Sequence, residues 1–393
     1  MFENIIGHKD ITTQLASEVL SRKLPGAILI EGAPYSGKLT TALELARGIT
    51  CTGDRKWNCR CRSCRQQKLL SNPDTLLLGH ANFMEEINFT AALLKRENEI
   101  FSRYMFLRSI RKLLHRFNPV FMDEKEAKFK KTEPFINEIE EKLENFDPES
   151  NGTVSEKFID SLVNAAGSVS KENNLSNISV EHVRKISFWA HTTSSESNKV
   201  VIFENCEKMN ESTRNSLLKI LEEPPEKCFF IFLTSKMGEI IPTIRSRLRV
   251  YSLKERSPEE NRQVIERIFR EKNTAFENLG DFFSAGNPDF ARIDSAAELY
   301  VRYYFSADRD TADRDALAEE LDFRESGNFR LFLERIIFHS RKLLLESHVT
   351  DTESRRLCSL NRFLNGCWYS HESLNISPEL LLDRLLSFGE DEK

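Results

Sequence analysis

The stretch from residue 27 to residue 46 limits this 393-residue chain more than any other. Ala27, Ile28, Leu29 and Ile30 form a short apolar run of the kind that becomes a buried strand. Gly32-Ala33-Pro34-Tyr35-Ser36-Gly37-Lys38 has the glycine spacing of a phosphate-binding loop, and helical periodicity begins at Leu39. In such a loop the backbone N–H groups and the positive end of the helix dipole cradle phosphates, and the lysine adds a mobile positive charge. A hydroxyl for Mg²⁺ belongs directly after the lysine, and that position is Leu39. Thr40 does not replace it, because one residue further along is a rotation of about 100° around the helix. The loop keeps the shape of a nucleotide site and lacks part of its chemistry; the plainer alternative is a glycine turn that holds no phosphate.

A second apolar run, Lys199-Val200-Val201-Ile202-Phe203, ends at Glu204-Asn205 and predicts another strand of a parallel sheet. In a nucleotide hydrolase an Asp there holds Mg²⁺ and the next Glu orients the attacking water. Glu204 is one methylene longer, and Asn205 cannot take a proton. Residues 229–233 predict a third strand, ending at Thr234-Ser235 on the sheet's carboxyl edge, where ligands of such sheets bind. Helices are expected at 10–22, with Ile11, Leu15, Val19 and Leu20 on or near one face, at 181–190, and at 211–221, with Leu217, Leu218 and Leu221 inward. Glu222-Glu223-Pro224-Pro225 stops the last of these. Residues 241–248 form a turn and short helix ending in arginines, among them Arg247, and residues 2–7 either cover a base or simply start the fold.

Of eight cysteines, Cys51, Cys59, Cys61 and Cys64 share one window with the spacing C-x₇-C-x-C-x₂-C. Four thiolates within reach of one point make a tetrahedral Cys₄ zinc site, and the neighbouring arginines and lysines lower the thiol pKa values and offset its charge. With no His, Asp or Glu to leave an open position, the zinc is expected to be structural, clipping a loop too small for its own core. Coincidental thiols or a redox pair is the alternative. Cys206, Cys228, Cys358 and Cys367 read as inert packing residues.

Charged residues make up 30% of the chain and the formal net charge is −5, so any nucleic-acid contact must be a local patch or made through partners. No apolar run approaches the length of a membrane span, and the first residues lack a signal-peptide pattern; a soluble, cytoplasmic protein with no membrane contact is expected. Residues 80–177 read as a helical insertion: Phe101, Tyr104, Met105, Leu107, Ile110, Leu113 and Leu114 give one amphipathic helix, 124–145 a highly charged one and 154–163 a third. Its charge runs are a solvated face or a binding surface. Residues 297–393 are helical, with Phe323, Phe329, Leu331, Phe332, Ile336, Ile337 and then Leu343 to Leu345 spaced to face a core or a neighbour.

Taken with the glycine loop, the cysteine cluster, residues 2–7 and Asn72-Pro73-Asp74, two runs carry a resemblance. They are Asn215-Ser216-Leu217-Leu218-Lys219-Ile220-Leu221-Glu222-Glu223-Pro224-Pro225 and Pro242-Thr243-Ile244-Arg245-Ser246-Arg247. The chain resembles the bacterial DNA polymerase III clamp-loader AAA+ family, most of all its delta-prime type, over residues 1–80 and 178–295. The resemblance implies an α/β AAA+ P-loop module over 1–253 (a parallel sheet with helices on both faces), with the zinc insertion at 51–64 and the helical insertion at about 80–177. It also implies a helical lid at 254–296 and an all-α collar at 297–393 that builds a five-subunit ring. Motor subunits of the family keep a complete P-loop, an Asp-Glu pair and a lid arginine in a Gly-x-x-Arg context. Here Leu39, Glu204-Asn205 and Gly286-Asn287-Pro288-Asp289 stand instead.

The resemblance therefore implies a non-hydrolysing stator whose degenerate nucleotide site (Gly32, Ser36, Gly37, Lys38, Glu204, Thr234) binds ATP weakly or not at all. Arg247, in Ser246-Arg247-Leu248, would serve as an arginine finger in a neighbour's ATP site. Its implied partners are gamma/tau and delta subunits and, through the complex, the sliding clamp and primed DNA. An active gamma/tau-type ATPase, and a zinc-ribbon nucleic-acid binder with a vestigial P-loop, are the alternatives.

Overall fold

The computed structural model describes residues 1–79, 83–120, 127–172, 178–192, 198–272, 276–287, 289–305, 326–346, 351–374 and 376–388. Phe323, Pro288 and parts of two anticipated insertion segments, 124–126 and 173–177, lie outside these residues. The chain divides into two compact units, Met1–Gly280 and Asp281–Lys393.

The first unit is built on β1 (Ala27–Gly32), β2 (Thr75–Leu78), β3 (Lys199–Phe203), β4 (Cys228–Thr234) and β5 (Arg249–Leu253), in the order β2-β3-β4-β1-β5. All four pairings are parallel. The central strands are near-continuous apolar runs because both sheet faces are covered. Successive residues point to opposite faces, so each strand feeds two cores. Leu29, Val201, Phe203, Phe230 and Phe232 meet residues of α8 (Val180–His191) and α9 (Glu211–Glu222). Ile28, Ile30, Val200, Ile202, Ile231 and Leu233 meet residues of α1 (Lys9–Leu20) and α2 (Lys38–Thr50). On α1, Leu15 and Val19 are buried, but Leu20 is 65% exposed, contrary to the expected stripe. It lies about 100° round the helix from Val19, at the point where the helix ends.

Between β2 and β3 the insertion forms four described helices: α4 (Phe83–Arg96), α5 (Ile100–His115), α6 (Ala127–Glu144) and α7 (Glu156–Glu172). They have a core of their own, including Phe83, Ile87, Phe106, Ile110, Leu113, Ile139, Ile159 and Leu162. The buried face of α5 is shifted from the expected one: Phe106 is fully buried, whereas Phe101, Tyr104, Met105 and Leu114 are only half-buried. Polar Ser102, Arg103 and Ser109 share the inward face, which hides it from apolar periodicity. The insertion is pinned to α3 (Arg62–Lys68), the helix that is capped by Cys61 and carries Cys64. Arg108 and Arg111 donate to the carbonyls of Lys68 and Leu69 at 2.9 and 2.7 Å, and His115 Nε2 lies 3.2 Å from the Leu70 oxygen. Three basic residues on one helix thus reach three successive carbonyls at the negative end of another.

In the second unit the helices Phe290–Phe305, Ser326–Glu346, Asp351–Leu374 and Pro378–Phe388 bury Tyr300, Tyr304, Phe329, Phe332, Ile336, Leu360 and Leu385. Leu343 and Leu344 are each 38% exposed. Cys206, Cys228 and Cys367 are buried, but Cys358 is exposed and so is not a packing residue. Among the described residues no helix is long and apolar enough to cross a membrane.

Candidate metal centre and the glycine loop

Gly37, with φ 91°, turns the chain from the loop after β1 into the first turn of α2. That backbone region suits glycine. Lys38 Nζ donates to the carbonyls of Gly32 and Ala33, both at 2.7 Å, so the ammonium is folded back across the loop. Ser36 is buried, and its Oγ has no hydrogen-bond partner among the described residues. Burial pulls the Lys38 pKa down to about 8, against the opposing attraction of Glu207 and then Glu204. Lys38 therefore loses its charge as pH rises through about 8, where an ordinary lysine would keep it. Any phosphate affinity of the loop is expected to fall between pH 7 and pH 9, and to persist in Lys38→Arg; titration with inorganic phosphate at both pH values checks this.

Arg256, which follows β5, was not visible as a loop residue. Its Nε donates to the Ile6 carbonyl at 3.0 Å and Nη1 to the Tyr35 carbonyl at 2.9 Å. A side-chain carbon on Gly37 would lie 2.5 Å from Nη2, so the guanidinium rests against the loop. His8 Nε2 lies 2.8 Å from the Ser36 carbonyl on the same loop. A ligand that enters between Ile6 and Tyr35 must displace Arg256. Arg256→Ala is expected to raise nucleotide affinity of the isolated chain about tenfold, the worth of one or two displaced hydrogen bonds, as read by titration with a fluorescent nucleotide.

At the end of β3, Glu204 and Glu207 are both buried. Asn205 has left-handed backbone angles, φ 50° and ψ 45°, and its amide donates to the Gly79 carbonyl at 2.8 Å. Asparagine tolerates that backbone region better than most residues, and here its amide also ties the ends of β2 and β3 together. Gly79, with φ 87°, has to be glycine, because a side chain there would run into the Glu204 carbonyl. Thr234 is buried at the end of β4, where its Oγ accepts from the Lys236 N–H at 3.0 Å. Arg247 is apart from these groups in its bonding. It pairs with Glu222 at 2.6 Å and donates to the Thr243 carbonyl at 2.8 Å. Leu248 beside it is buried in the core under α9.

The Sγ atoms of Cys51, Cys59, Cys61 and Cys64 all lie within 4.8 Å of one another and can hold a metal ion. The separations of Cys51 from Cys59 and Cys61 are 3.7 and 3.9 Å. A tetrahedron with metal–sulfur bonds of about 2.3 Å has edges of about 3.8 Å, so the donor set fits. Burial pushes the Cys61 thiol up, but the N–H groups of Cys64 and Thr52 outweigh it and bring the pKa down to about 6; burial raises Cys51 and Cys64. A side-chain carbon on Gly53 would lie 2.7 Å from Cys59 Sγ, which keeps that position bare.

The charge compensation expected from the loop's own arginines comes instead from Arg47 on α2. Its Nη1 lies 3.1 Å from Cys64 Sγ and donates to the Lys56 carbonyl at 2.9 Å, while Nη2 donates to the Arg55 carbonyl at 2.8 Å. Nε and Nη2 also grip the Glu44 carboxylate at 2.8 and 2.6 Å, and Glu44 accepts the Phe2 N–H at 3.1 Å. The signal was the i,i+3 spacing of opposite charges on an otherwise apolar helix. The Cys₄ window folds onto the same helix that begins at the glycine loop.

A parallel sheet carrying a glycine loop at a helix N-terminus, with a four-thiol loop braced on that helix, defines an α/β protein in which one helix joins the glycine loop to a donor set that can hold a metal ion. The chain belongs to the family described as "DNA polymerase III, delta subunit", which it matches over residues 7–257. It is similar to the "DNA polymerase III subunit delta'" of Haemophilus influenzae, 30% identical over 105 residues that cover 23% of this chain and 32% of that protein. It is also similar to the "DNA polymerase III subunit gamma/tau" of Mycobacterium tuberculosis, 34% identical over 80 residues, or 20% of this chain and 14% of that one. The chain thus spans a third or less of the length of these curated relatives. A solved Thermotoga maritima protein described as gamma subunit-related aligns at a TM-score of 0.43 and 15% identity, over 97% of this chain and 99% of that one.

Proposed function

We propose that the chain is a delta-prime-like subunit of the DNA polymerase III clamp loader, a cytoplasmic stator that does not hydrolyse ATP. It would sit in an AAA+ ring with gamma/tau and delta subunits and help place the sliding clamp on primed DNA. The observation that carries this reading is Asn205. Where a hydrolase needs a carboxylate to orient water, this chain has an amide engaged with the Gly79 carbonyl. Leu39 and Asp289 point the same way; Asp289 accepts from Asn328 at 2.8 Å and pairs with Arg292 at 3.0 Å, and offers no lid cation.

Arg247 supports the trans role. Its side chain is 33% exposed and its partner Glu222 is 52% exposed, so the pair is worth at most about 1 kcal/mol and releases the guanidinium easily. On this reading 254–296 acts as the lid and 297–393 as the collar, where Leu344 and Leu380 are exposed. The four thiolates would hold structural zinc. Metal analysis of the purified chain should find about one zinc, and Cys61→Ser should lose it.

The test is nucleotide hydrolysis by the isolated chain, expected at background. Turnover that Lys38→Ala abolishes would overturn the proposal in favour of a gamma/tau-type motor, the other type of relative this chain matches.

A further inference from the structure

The knuckle that carries the four cysteines has a second feature that metal binding does not use. Between residues 51 and 70 stand Arg55, Lys56, Arg60, Arg62, Arg65 and Lys68 against a single acid, Asp54, in a chain whose net charge is −5. Lys56, Arg60, Arg62 and Arg65 are exposed. Some cations elsewhere on the surface are paired within their helices, as in Lys142–Glu138, Arg262–Glu259 and Arg302–Glu298. Among the described residues Arg60, Arg62 and Arg65 have no carboxylate within ion-pairing distance. Nor are they occupied by the sulfur cluster, whose hydrogen-bonding cation is the buried Arg47.

In the same loop Trp57 is 37% exposed, a large aromatic at the surface. The Lys68 ammonium lies 4.8 Å and the Arg47 guanidinium 5.8 Å from its ring centroid. These cation–π contacts hold the indole in place on a loop with little core of its own. A fixed aromatic plate in the same short loop-and-helix segment as exposed arginines that have no carboxylate partner is the combination that takes single-stranded nucleic acid. Phosphates meet the guanidinium groups, and a base stacks on the ring whatever its identity. A duplex, whose bases are already stacked, cannot use the plate.

We propose that this knuckle is a single-stranded nucleic-acid binding surface, with Trp57 as the stacking platform and Lys56, Arg60, Arg62 and Arg65 as the backbone clamp. It is separate from the glycine loop and from Arg247, so it stands or falls independently of the stator reading.

The test is binding of a fluorescent oligothymidylate to the full chain across a salt series. Four phosphate contacts predict a slope of log K against log salt of about −3, at roughly 0.7 per contact. Trp57→Ala should weaken binding about tenfold or more with the slope unchanged, and Trp57→Phe should keep most of the affinity. Arg62→Ala should make the slope shallower by about 0.7, and Arg62→Ala with Arg65→Ala by about twice that. Unchanged metal content and melting temperature show that each variant is folded. The proposal fails if no oligonucleotide binds, or if the Trp57 and arginine variants bind as wild type does. It also fails if a duplex, or an acidic peptide of equal charge, binds as tightly and as indifferently to Trp57; the surface would then be a general polyanion face.

Discussion

If the chain is the stator proposed above, Arg247→Ala in it alone is expected to leave ring assembly intact while it silences one neighbouring ATP site. Arginine fingers are worth roughly 10³–10⁵ in rate, because the guanidinium neutralises charge that develops on the transferred phosphoryl group. Among the described residues the side chain is held by exposed Glu222 and by the Thr243 carbonyl one turn before it, so removing it should cost little stability. The measurement is DNA- and clamp-stimulated ATPase of the reconstituted ring, with Lys38→Ala in this subunit as the comparison. A falling rate with Arg247→Ala and near-silence with Lys38→Ala is the expected pair. The reverse pair would make the glycine loop the working site and Arg247 a surface charge.

Arg47→Ala should have the largest effect on stability. Arg47 and Glu44 are 2% and 1% exposed, and removing the arginine strands a carboxylate in the interior. Breaking a buried pair in this way costs about 3–5 kcal/mol. The loss does not stop at the pair, since the same guanidinium holds two carbonyls of the cysteine loop and faces Cys64. Urea unfolding of the variant should show the lowered midpoint, and metal analysis a weakened hold on the ion. Arg47→Lys is expected to rescue little, because an ammonium cannot reproduce the two-pronged grip on Glu44. Replacing both partners together, Glu44→Leu with Arg47→Met, should recover much of the stability but not the metal affinity.

What was legible in the sequence was local. The β1 run, the glycine spacing and the four thiols each lie within a few turns of chain, so their geometry follows from spacing alone. Asn205 was legible only as a missing acid; its tie to Gly79 depends on two strands becoming neighbours, which residue type does not announce. Arg256 reaches Ile6 across 250 residues of sequence, and nothing in its own neighbourhood marks it as a loop residue. On α5 the polar residues that serve the inward face blurred the period, so Phe106 went unseen beside Met105. The pairing of Glu44 with Arg47 had the right spacing, but an apolar helix gives no hint of which polar side chains will be buried together.

The contacts of Arg108, Arg111 and His115 bear on how this protein could be cut down. With its own core, the insertion looks like a module that could be excised by joining β2 to α8. Doing so would strip the carbonyls of Lys68 and Leu69 at the end of α3 of the donors that satisfy them, and uncover Leu69, which packs against the insertion's core. A shortened chain would need new donors at that helix end before its cysteine loop could hold its shape.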